Sequence, residues 1–147
     1  MRSGEDIVGR INWGRVIGGG LVAGLVANVL EMLYGFAMRA QFEQMMKSIN
    51  KEIAMQPAVM AAHFLWSFVI GIAAIWLYAA IRTRYGLGPK TAVRAGFAVW
   101  LFVHATFAIA TSSLGFFPAR MMAIGAAWGL VETLAATLAG AAIYRES

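Results

Sequence analysis

Four ionisable side chains stand deep inside apolar sequence: Glu31, His63, His104 and Glu132. Each belongs to a different apolar stretch. Asn28 lies one helical turn from Glu31, and Ser67 one turn from His63. Carboxylates and imidazoles can hold a proton, a cation or a metal, or tie one helix to another. A charge in hydrocarbon is costly, so such residues face a bundle interior and are site candidates by default. At ~1.5 Å of rise per residue, Glu31 lies ~9 Å, His63 ~8 Å, His104 ~13 Å and Glu132 ~20 Å from the same side of the membrane. Glu31 and His63 are thus expected at matching depth, as a hydrogen-bonded pair, with His104 in reach and Glu132 deepest.

This set admits three chemistries. Hydrogen bonds between spans, worth roughly 0.6–2 kcal/mol each, would make the cluster structural. A staircase of acids and histidines would make it a proton or cation path. Two histidines and two glutamates are also ligand types for a divalent metal or a bis-His haem, with His63, His104, Glu31 and Glu132 as candidates. The Glu-x-x-His spacing of di-iron bundles is absent, and nothing in the sequence requires a cofactor. The chain has no cysteine, which excludes disulfides, thiolate catalysis and Cys-based metal sites. It has no HExxH, no Ser–His–Asp set and no glycine loop following a strand, so no catalytic residue is assigned.

The elements that position these residues follow from composition. Of 147 residues 61% are hydrophobic and 13% charged, against about a quarter charged in a soluble domain. A span needs ~20 apolar residues. Four segments reach that length, at about 13–38, 58–81, 91–114 and 119–144. Pro57, Pro89 and Pro118 mark the starts of the last three, where a missing N–H costs nothing. The first span reads as an uncleaved anchor, its apolar run being too long for a signal peptide and no A-x-A-like site following. The fold class is all-α: one membrane domain over residues 1–147, a four-helix bundle with antiparallel neighbours. In the first connection Phe42, Met45, Met46, Ile49 and Ile53 recur at helical spacing, which predicts an amphipathic interfacial helix over about 41–54.

Charge supports the same picture. The net charge is +5, but Lys and Arg flank the apolar segments and form no single patch, which favours a bilayer over nucleic acid. Eight of the twelve Lys and Arg fall on the side of the termini, the other four on the opposite side. The positive-inside rule then places both termini in the cytoplasm, in a bacterial inner (plasma) membrane.

Glycine patterning predicts the packing. Gly20, Gly24, Ala27, Glu31 and Gly35 share one face of the first span, with Asn28 at its edge; Gly125, Gly129, Glu132, Ala136 and Gly140 share one face of the fourth, at identical spacing. Small residues four apart let membrane helices approach closely. The first and fourth spans are therefore expected in contact, Glu31 near Gly125 and Glu132 near Gly24. Such faces favour an accessory or assembly subunit of a larger membrane complex, with protein partners or further copies of the chain. A proton- or cation-coupled small transporter using Glu31, His63, His104 and Glu132 is the first alternative. A metal- or haem-binding bundle is the second.

Overall fold

A backbone in lipid must satisfy its own N–H and C=O groups, and a helix does so within one segment. The computed structural model describes residues 11–48 and 56–144. Its elements are α1 (Trp13–Ala37), α2 (Arg39–Ser48), α3 (Pro57–Tyr85), α4 (Pro89–Trp100), a π-helical turn (Leu101–Ala105), α5 (Thr106–Ser113) and α6 (Ala119–Ile143). Four of these helical stretches are long and apolar enough to cross a membrane: α1, α3, Pro89–Ser113 and α6. The protein is an all-α, integral membrane four-helix bundle.

Local signals set the helix ends. The Asn12 side chain accepts from the Arg15 N–H and caps α1. Pro57 and Pro89 open α3 and α4 from the first turn, and Pro118 is the cap residue before α6. Between α3 and α4 the chain turns sharply, with Gly86 at φ 82° and Gly88 at φ 114°, a region that side chains avoid. The second span runs a turn beyond its expected end, to Tyr85. The third, expected as one continuous helix, is interrupted by the π-turn. The interfacial helix starts at Arg39, straight after α1, and Phe42, Met45 and Met46 are half-buried. On its outer face the Arg39 Nε donates to Glu43 Oε1 at 2.8 Å, holding that carboxyl below the usual carboxylate range. Ile49 and Ile53 of the expected stripe lie outside the described residues.

The four spans form a ring in which α1 touches α3 and α6, and α4 touches the same two. Glycine makes the approaches close. A Cβ on Gly71 would lie 2.5 Å from the Gly20 carbonyl oxygen and 2.6 Å from the Gly24 nitrogen. One on Gly19 would lie 2.7 Å from the Gly140 carbonyl oxygen. Gly19 and Gly20 are neighbours in sequence, about 100° apart around a helix. So α1 presents one glycine face to α6 and another to α3. The Gly20–Gly24 stripe meets Phe68, Gly71 and Ile72 of α3, where the sequence had paired it with the fourth span.

The two ends of the bundle differ. On the side of the termini, Val16, Ala23, Ile75, Tyr78, Ala95 and Tyr144 join one buried core. The Asn12 N–H donates to the Tyr144 hydroxyl, the Gly88 N–H donates to the Tyr78 hydroxyl, and the Arg82 guanidinium lies 5.0 Å from the centre of the Tyr144 ring. On the α2 side the helices separate. Residues 57–66 are exposed on every face of α3, and α3 touches neither the π-turn nor α5.

Filling the crossing should therefore unfold the bundle, and filling open space should not. Gly71→Val is expected to cost about 1–3 kcal/mol or more, the range for overpacking a tight contact. Gly35→Ala, with nothing within 4 Å of the new Cβ, should leave stability unchanged or slightly raised. Thermal unfolding in detergent of both variants checks this; equal losses would contradict the crossing.

Candidate functional site

The α1–α6 crossing sets the register of the two glutamates. Twelve residues on from Gly19 is Glu31, and twelve back from Gly140 is Trp128, so Glu132 sits one turn further towards the termini. Helical side chains lean towards their own N-terminus. In this antiparallel pair the two glutamates therefore lean towards each other, and their carboxyl groups lie close enough to interact. Glu132 is 7% exposed, and its Oε2 receives no hydrogen bond from any N–H or hydroxyl among the described residues. Glu31 is exposed on its far side. An ionised carboxylate only accepts. A hydrogen bond between the two carboxyls thus needs a proton on one of them.

His104 completes the cluster from the third span. Trp100 closes α4 by donating its Nε1–H to the Ala126 carbonyl of α6 at 2.8 Å. The π-turn begins at the next residue, and the Thr106 N–H reaches back five residues to the Leu101 carbonyl. Such turns are rare and recur at functional sites. Here the turn widens the helix where the His104 ring seats in the notch left by Gly129; a Cβ there would lie 2.6 Å from the ring Cγ. The half-buried imidazole interacts electrostatically with Glu31.

An aromatic roof lies over the pair on the α2 side. Tyr34, one turn above Glu31, stacks on Trp128, one turn above Glu132, at 5.7 Å and 18°. The Tyr34 hydroxyl faces Gly125, where a Cβ would lie 3.3 Å away, and Phe42 of α2 meets the Tyr34 ring edge-on at 6.1 Å. The Trp128 Nε1 is buried with no acceptor among the described residues. The sequence carried one signal for this roof, since each ring stands one turn from an acid on the same face.

The other candidates lie elsewhere. Asn28 donates to the carbonyls of Gly24 and Phe64, at 3.0 and 3.2 Å, and so ties α1 to α3. His63 turns its Nδ1 to the Val59 carbonyl of its own helix, and Ser67 donates to the His63 carbonyl. Among the described residues no hydrogen bond joins His63 to Glu31; the histidine rides on the diverging half of α3. The structure therefore pairs Glu31 with Glu132, sets His104 within electrostatic range of Glu31, and leaves Asn28, His63 and Ser67 apart. Among the described residues no three His, Asp or Glu side chains converge as metal ligands, and His63 and His104 stand on elements that do not touch. No known protein family, curated protein or solved structure matches the chain.

Gly129→Ala should push the imidazole out of its notch. The expected result is a shift of the His104 ring resonances in 15N NMR of the detergent-solubilised protein, with about 1–3 kcal/mol lost from overpacking. Unmoved resonances would show that His104 does not rest on Gly129.

Proposed function

We propose that this protein is a proton-coupled membrane carrier whose exchange site is the Glu31–Glu132 pair, with His104 as its neighbour. The observation that carries this reading is a buried acid, lacking any ordinary donor, beside a second acid that is exposed. Glu132 holds the proton in protein, and Glu31 passes it between Glu132 and the α2 side. The half of the bundle nearer the termini is closed by the glycine crossings, so the open half offers access from one side only, as alternating access requires. Four helices enclose little volume, and a working carrier of this size is a homo-oligomer. The Lys and Arg excess on the side of the termini favours a cytoplasmic position for them in a bacterial plasma membrane, with the pair then towards the outer side.

A second reading, an accessory or assembly subunit, rests on residues 57–66 of α3, which stay exposed although Asn28 of α1 donates to the Phe64 carbonyl. Of the glycine faces, Gly19, Gly20, Gly24, Gly71 and Gly140 are consumed within the chain, while Gly35 meets nothing within 4 Å.

The test is proton flux in reconstituted vesicles. The wild type should dissipate an imposed pH gradient, and Glu31→Gln and Glu132→Gln should each slow it about a hundredfold, the scale of a positioned proton-transfer group. Flux that survives both substitutions overturns the carrier reading. A native assembly that purifies with a larger partner and tolerates both substitutions favours the subunit.

A further inference from the structure

The surroundings of the carboxyl pair point to what it exchanges the proton for, an inference that rests on the carrier reading above. The pair is acceptor-rich and has no resident counter-charge: among the described residues no Lys or Arg bonds either glutamate. Glu132, more than nine-tenths buried, keeps a carboxyl oxygen without a donor. A site of this kind is completed by a cation brought from outside. A divalent metal would want more than two carboxyls, and among the described residues no third ligand converges with them.

The route and the walls are apolar. The bundle opens sideways on the α2 side, between α3 and the π-turn with α5. The helices bordering that gap carry exposed Phe64, Leu65 and Trp66 on one side and Phe102 and Phe107 on the other. Tyr34 and Trp128 roof the acids, and aromatic faces attract organic cations. A shallow, open groove of about 440 Å³ runs between α5 and α6, lined by Ala105, Ala108, Ser112, Ala123 and Ala126 among others; neither glutamate lines it.

We propose that Glu31 and Glu132 bind the charged head of a lipophilic organic cation, a protonated or quaternary amine with apolar substituents, in exchange for the proton they share. The balance is one for one. The cation enters from the outer leaflet, one proton leaves the pair for water on the α2 side, and the net charge of the site is unchanged. The titratable groups acting on the pair are Tyr34 beside Glu31 on α1 and His104 on the π-turn.

The full chain in detergent is titrated with tetraphenylphosphonium, and separately with tributylmethylammonium, by calorimetry in weak buffer. The expected result is saturable binding that releases one proton per cation and weakens as pH falls. Glu31→Gln and Glu132→Gln, checked for wild-type elution, should each weaken it at least about tenfold, while Glu43→Gln on α2 leaves it unchanged. Absence of binding, binding without proton release, or equal affinity in both variants overturns the proposal. Infrared spectra separate the two readings. A wild type with a protonated-carboxyl band that Glu132→Gln removes, and with proton flux, yet indifferent to both cations, overturns the organic-cation proposal alone. Loss of band and flux together overturns the carrier reading as well.

Discussion

The close crossing of α1 with its two neighbours is the constraint on which the rest of the structure depends. Without a hydrophobic force between helix and lipid, approach distance decides how well membrane helices pack. Here it is set by backbone on backbone: Gly19 against Gly140, and Gly20 and Gly24 against Gly71. A backbone contact resists sliding, because a turn of slip would bring the side chain of Arg15 or Ala23 to where Gly19 meets the Gly140 carbonyl. The register of α1 on α6 is thereby fixed, and it carries Glu31 to within one turn of Glu132. The closeness of the carboxyls is a consequence of Gly19, twelve residues from Glu31, and Gly140, eight from Glu132.

The crossing also divides the bundle. Towards the termini, tyrosine hydroxyls take up the N–H groups of Asn12 and Gly88, and Arg82 covers the Tyr144 ring. Polar ties of this kind hold an end shut. Towards α2 the links run between pairs of spans: Asn28 to α3, Trp100 to α6, and the Tyr34–Trp128 stack between α1 and α6. Motion that opens the α2 side need not disturb the glycine contacts, so the glutamates lie where a rigid half meets a loose one.

Much of this was legible in the sequence, and the rest was hidden for physical reasons. Four spans, their proline starts and the contact of α1 with α6 follow from hydropathy and small-residue spacing, and the fold shows them all. Which glycine meets which helix does not follow, because Gly19 and Gly20 serve two neighbours and a single stripe describes one. Depth counted from helix ends also fails. The ends of α1 and α6 do not lie in one plane, so Glu31 meets Glu132 rather than His63. The π-turn has no sequence mark: Leu101–Ala105 contains neither glycine nor proline. Its cause is tertiary, the Trp100 bond to α6 and the notch at Gly129.

The chemistry of the pair bears on whether it is a mere fastener. A structural tie between two helices needs one donor and one acceptor. The protein uses that solution twice, with the Asn28 amide on the Phe64 carbonyl and the Trp100 indole on the Ala126 carbonyl. Neither depends on pH, and neither places a charge in the membrane. Two carboxyls are a poor substitute. They attract only while a proton sits between them, and losing it turns the tie into a repulsion between like charges. A carboxyl pair at this crossing holds less firmly than an amide would, and it responds to protons where an amide does not. Glu31 is exposed and Glu132 is buried, so on the carrier reading the proton reaches the pair through Glu31. That asymmetry favours a site built to gain and lose the proton over one built to keep it.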